Sequence, residues 1–102
     1  LSFSAQVRGR IQLDDGARRA IVEQGRSLLA AGIIGTQGDF QKGDAVALCD
    51  SQGHVIARGL TNYSSVDVER IKGLKSAKIA QVIGQRPYEE VIHRDNLAIV
   101  KK

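Results

Sequence analysis

The stretch GRIQLDDGARRAIVEQG, Gly9–Gly25, changes its hydrophobic period halfway along. Ile11 and Leu13 alternate with polar neighbours, as on a half-buried strand. Ala17, Ala20 and Ile21 then recur at i, i+3 and i+4, which gathers them on one face of a helix. Asp14 or Asp15 can accept from the orphan amides at the helix start, and Gly25 can take the left-handed conformation that ends it. The spacing therefore predicts a strand followed by a helix from about Asp15 to Gln24.

Downstream, short apolar runs are broken at close intervals by Gly and Asp. SLLAAGIIGTQGDF, QKGD, AVALC, DSQG and HVIARGL follow one another between Arg26 and Leu60. Such punctuation predicts strands joined by tight turns, with AVALCDSQGHVIARGL as an antiparallel hairpin across Asp50–Gly53. Two further helices follow. SSVDVERIKG opens with a capping box from Ser64 to Asp67 and stops at Gly73. SAKIAQVIG takes Ser76 as its cap, buries Ile79, Val82 and Ile83, and ends at Gly84, with Pro87 preventing continuation. A last strand, Asn96 to Val100, closes the sheet. The expected class is α+β, mainly β: a small mixed β-barrel with flanking short helices.

The chain has 102 residues, enough for one domain that buries roughly 60–70% of the surface its unfolded form exposes. Its composition, 42% hydrophobic and 25% charged, is that of a globule with its own core rather than a disordered segment. No apolar run approaches the roughly 20 residues that span a bilayer, and no signal peptide is visible, so the expected setting is the cytoplasm with no membrane partner. The sequence contains no Met, which implies that Leu1 is not a translation start and that something precedes it. The lone Cys49, inside AVALC, reads as a buried structural thiol, and His54 and His93 give no metal-ligand spacing. The sequon at Asn62 would matter only in a secreted protein.

Several motifs invite a catalytic reading and fail on their neighbours. His93-Arg94-Asp95 has the letters of a protein-kinase catalytic loop, but that loop needs Asn five residues after its Asp, where this chain has Val100. The glycine-rich strand, D-F-G and V-A-I-K segments are also missing. Gly38 and Gly43 have the spacing of a P-loop, yet Asp44 and Ala45 stand where Lys and Ser or Thr are required. GLKSAK, Gly73–Lys78, puts Lys75 and Ser76 before a helix without the upstream glycine and strand of an anion site. Glu89 and Glu90 are adjacent, so in an extended segment they face opposite ways and form no acid–base pair. No catalytic residue is assigned.

Charge is more informative. Fifteen Lys and Arg against 11 acids give a formal net charge of +4. Arg18, Arg19 and Arg26 lie on or just after the first helix, and Lys72, Lys75 and Lys78 gather between the later two. Such clusters can neutralise phosphates, although aromatic residues for stacking are few: Phe3, Phe40, Tyr63 and Tyr88.

The motifs D-x-G-A opening a helix, S-L-L-x-x-G after it, G-x-F-x-x-G-D before a strand and a G-L-x-N-Y-S ending occur in this order between Asp14 and Ser65. Together they resemble a PUA domain, the RNA-associated module of pseudouridine synthases and archaeosine transglycosylases. IKGLKSAKIAQVIG and EEVIHRDNLAIV further resemble the C-terminal end of the bacterial glutamate 5-kinase family. The resemblance implies that residues 1–8 are a connector or edge strand from a preceding amino-acid kinase domain. Residues 9–102 then form a PUA domain, with core motifs in 14–65 and a family-specific extension in 66–102. It also implies a noncatalytic module, for regulation or assembly, in a homo-oligomeric enzyme that phosphorylates glutamate in proline synthesis. ATP and magnesium would bind the kinase domain, with no cofactor here. By likeness to RNA-binding PUA modules, Arg18, Arg19 and Arg26 are the candidate RNA or anion contacts. An RNA-modifying enzyme carrying a PUA domain leaves the EEVIHRDNL ending unexplained.

Overall fold

The computed structural model describes residues 6–84 and 88–100. In chain order the elements are β1 (Val7–Leu13), α1 (Asp15–Gln24), β2 (Ile33–Gly38), β3 (Ala45–Cys49), β4 (Val55–Leu60), α2 (Ser65–Ile71), α3 (Ser76–Ile83) and β5 (Leu97–Ile99). Short 3-10 turns at Ala30–Gly32 and Arg94–Asn96 lead into β2 and β5.

The strands form one mixed sheet in the order β2-β1-β3-β4-β5, with β1 and β3 parallel and the other neighbours antiparallel. The small mixed β domain with flanking helices is therefore the one expected, but among the described residues the sheet stays open, with β2 and β5 at its edges. Val7 and Arg8 belong to β1, where Val7 pairs with Ala45. β1 lies between β2 and β3, and its pairing with β2 begins only at Gly9. Residues 1–5, including Phe3, and Pro87 lie outside the described residues.

Register separates the faces. Ile11, Leu48 and Ala57 stand abreast on three strands and are fully buried. Phe40, Val68, Ile71, Ile79, Val91 and Ile92 complete this core from the loops and helices. One residue along, the row Arg10, Ala47, Arg58 points the opposite way, as the two-residue period of a strand requires. Cys49 is buried. No helix among the described residues is long and apolar enough to cross a membrane.

The helix signals are met with two changes. Asp14 caps α1, its Oδ1 accepting from the Ala17 N–H at 2.7 Å, and Gly25 ends it at φ 64°. Ser64 Oγ accepts from the Asp67 N–H at 3.2 Å, but the Asp67 carboxylate turns towards Arg70 at 3.7 Å rather than back to the cap. Ser76 is the first residue of α3, not its cap: Lys75 keeps extended dihedrals and supplies no side-chain capping bond. On α3 Ile79 is fully buried, while Val82 and Ile83 are half-buried.

The loop motifs act as staples. Gly43 N–H donates to the Thr61 carbonyl at 2.7 Å, and Asp44 Oδ2 accepts from the Gln41 N–H at 2.8 Å. A turn whose amide is already held by a carboxylate has no place for a phosphate. Asn62 donates from its side chain to the Glu90 carbonyl at 3.1 Å and from its backbone to the Val91 carbonyl at 2.8 Å. Tyr63 hydroxyl donates to the Tyr88 carbonyl, and the two rings meet edge to face.

Candidate functional site

A groove of about 740 Å³ opens between α1, the chain from Arg26 to Gly32, and the segment around Glu90–Arg94. One wall is α1, through Gly16, Ala17 and Ala20, with Asp14 at its head. The Arg26 N–H donates to the Ala20 carbonyl at 3.0 Å, so the chain reverses after Gly25 and Arg26 lines the groove. It returns to α1 at Gly32, whose carbonyl accepts from the Asp14 N–H at 3.0 Å. A Cβ on Gly32 would stand 2.5 Å from the Ala17 Cβ; glycine is what lets the two segments touch.

The third wall comes from far along the chain. Leu28 and Ile92 form an antiparallel bridge: Leu28 N–H donates to the Ile92 carbonyl at 2.9 Å, and Val91 N–H donates to the Leu28 carbonyl at 2.8 Å. Arg94 N–H donates to Ser27 Oγ at 2.8 Å, and the Arg94 side chain also lines the groove. His93 Nδ1 accepts from the Asp95 N–H at 3.1 Å, capping the turn; that role leaves the proton of a neutral ring on Nε2.

Of the three arginines expected to act together, only Arg26 lines the groove. Arg18 and Arg19 follow Ala17 by about 100° and 200° around the helix and face away. Arg18 lies 4.0 Å from Glu23, and Arg19 is exposed. Arg94 takes their place, a residue that sequence spacing puts in a turn and nothing more. No local signal marks it, because its position depends on the bridge to Leu28. Among the described residues no carboxylate lies within 4.0 Å of the Arg26 or Arg94 guanidinium. Of the lysines between α2 and α3, Lys72 is already engaged, its Nζ 2.7 Å from Glu69.

Chemically this is a binding surface. Two guanidinium forks suit carboxylate or phosphate oxygens, and the apolar floor, with Leu29 46% exposed, suits a planar or apolar group. Ser27 Oγ and His93 Nδ1 are already engaged in holding the turn, so no nucleophile faces a free base. Among the described residues no three His, Cys, Asp or Glu gather to hold a metal, and the Asp44 turn does not fit nucleotide phosphates. Both carboxylates held below their ordinary range stand elsewhere: Glu69 by the Lys72 ammonium and then Thr36, and Asp50 chiefly by the His54 backbone N–H.

The PUA domain model matches residues 9–83. Glutamate 5-kinase of Thermoanaerobacter sp. (strain X514) is 50% identical over all 102 residues, which cover 27% of that protein. The chain thus spans about a quarter of the length of the relatives it matches. Among solved structures, a PUA domain from Aeropyrum pernix K1, determined as a tartrate complex, has a TM-score of 0.62 at 22% identity, over 84% of this chain and 41% of that one. The archaeal box H/ACA sRNP Nop10-Cbf5 complex contains a chain with a TM-score of 0.58 at 19% identity, over 92% of this chain and 24% of that one. Both likenesses are of fold. With three quarters of its length matched by the family model and the D-x-G-A helix, glycine contact and Asn-Tyr-Ser staple all in place, the chain belongs to the PUA domain family.

Proposed function

We propose that this chain is the noncatalytic PUA module of a glutamate 5-kinase and that it regulates or helps assemble that enzyme. The observation that carries the reading is the match along the whole chain to glutamate 5-kinases at 50% identity, over only 27% of their length. The groove supports it by offering binding groups without a catalytic arrangement. The parent reaction, transfer of the ATP γ-phosphate to the glutamate side-chain carboxylate with magnesium, takes place in this reading on the amino-acid kinase domain. Domain interfaces of about 600–1,500 Å² permit relative motion, and a shift there can bias the kinase between states. The test is glutamate-dependent ATP turnover by the intact chain and by one ending before Leu1, at several glutamate and proline concentrations. A changed glutamate response, proline response or oligomeric state in the shortened chain supports the reading. Identical behaviour in all three rejects it, and an intact chain without turnover rejects the parent assignment.

A second reading, RNA binding, rests on a specific observation: Arg26 and Arg94 converge on one groove with no carboxylate partner among the described residues. Titration with structured RNA at low salt tests it. No binding there discards it.

A further inference from the structure

The outer face of the sheet carries a second basic feature, unrelated to the groove. Arg10 on β1 and Arg58 on β4 are each in register with Ala47 on β3, so they point to the same side, opposite the core. With strands about 4.8 Å apart, their Cα atoms stand on the order of 10 Å apart, on either side of a small side chain. Both are exposed, and among the described residues neither has a carboxylate within 4.0 Å. Beside Arg10 lies a hollow of about 210 Å³, edged by Gln12, Thr36 and Gln37, with no acidic residue in its lining. Arg10 is its one charged group, and the glutamine side chains add donors. Its dimensions and chemistry suit the end of one Asp or Glu side chain, with Arg58 placed to take a second.

We infer that Arg10 and Arg58 dock this sheet face against a carboxylate-bearing surface of the kinase part of the same chain. The inference rests on the kinase-module reading. The relatives supply about three quarters of a chain beyond this segment to occupy the face. Position supplies the rest: Val7, at the start of β1, pairs with Ala45, only two residues along β3 from Ala47. A domain joined ahead of β1 therefore reaches the sheet within about 7 Å, along the strand, of the Arg10–Ala47–Arg58 row. No aromatic ring belongs to that row or to the hollow, so the face lacks the stacking platform that favours unpaired bases. Two separated guanidinium groups over small residues suit point contacts to protein carboxylates, and arginine is enriched at such interfaces.

The experiment uses the full-length chain and arginine modification by phenylglyoxal, read by peptide mass spectrometry. Arg19, exposed on α1, is the internal reference. Arg10 and Arg58 should react severalfold more slowly than Arg19 in dilute buffer and catch up in about 1 M salt, where the Debye length is only about 3 Å. In full-length Arg58→Glu, Arg10 should lose its protection. Equal reactivity of all three in dilute buffer overturns the inference. So does protection that appears only with added RNA, which would make the face a nucleic-acid surface, or only as protein concentration rises, which would assign it to a second copy. Glutamate-dependent ATP turnover of the same preparation keeps the two readings apart. Absent turnover removes the kinase assignment, whereas a protected Arg10 and Arg58 would still report contact with whatever domain precedes β1.

Discussion

The carboxylate of Glu69 on α2 accepts from both the backbone N–H and the hydroxyl of Thr36 on β2, at 2.8 and 2.7 Å from one oxygen. β2 is an edge strand, and such strands leave amides that invite pairing with another chain. Here a helix side chain occupies one. Lys72 Nζ holds the second carboxylate oxygen at 2.7 Å.

Because Lys72 and Thr36 hold the Glu69 carboxyl below the ordinary glutamate range, the bonded form adds stability that is complete above that range and is lost as pH falls through the depressed value. Glu69→Ala should cost about 1–2 kcal/mol at neutral pH. Urea melts at pH 7 and at acid pH check it: the gap between variant and parent should be widest at pH 7 and narrow as pH falls through the carboxylate range. A constant gap would show that packing, not the carboxylate, is responsible.

Gly32→Ala places a methyl against Ala17, 2.5 Å away by ideal geometry, and should destabilise by about 1–3 kcal/mol. Ala17→Gly in the same chain relieves the clash, so the double variant should recover part of the loss despite the poorer helix former. A double-mutant cycle by thermal melting measures the coupling. Simple additivity would mean that α1 and the Gly32 segment are not held at this point.

Asp14→Ala removes the side chain that accepts the Ala17 N–H and should cost about 1 kcal/mol. The fraying should be local to α1. Hydrogen exchange should accelerate at Ala17 and Arg18 while the β3 amides keep their protection.

If the groove takes RNA, Arg26→Glu and Arg94→Glu should each weaken binding, and replacing either phosphate contact should flatten the log–log salt dependence by about one unit. Arg18→Glu and Arg19→Glu, which alter charge equally but face away from the groove, serve as controls. Equal losses from all four would mean that net charge alone is felt.

The limits of α1, the Asp50–Gly53 hairpin and the strand character of AVALC were legible because each depends on neighbours within a few residues. A capping Asp, a left-handed Gly and an apolar period act locally. Ser76 misled because serine is as acceptable in the first turn as at the cap, and the choice lay in the dihedrals of Lys75. The groove was legible only in part. Arg26 sits directly after the helix it follows, whereas Arg94 reaches Ser27 across 67 positions, its backbone N–H donating to a hydroxyl that no local spacing links to it. The face of Arg18 and Arg19 was within reach of sequence reasoning: they stand about 100° and 200° around the helix from Ala17, whereas Ala20 comes back to within about 60° of it.

The bridge from Leu28 to Ile92 also sets the order in which this domain can be finished on the ribosome. β1 waits for β3, and Leu28 stays without its partner strand until Val91 and Ile92, both fully buried, have left the exit tunnel. Residues 9–83 match the family model, yet they form a vessel without its lid: the segment around Ile92 and β5 arrives last and seals the core. Contacts so distant in sequence slow folding relative to a helical domain of the same size, whose contacts are local. During that interval the nascent chain leaves bare Leu28 and the side of β4 at Gly59 that Ile92 later covers.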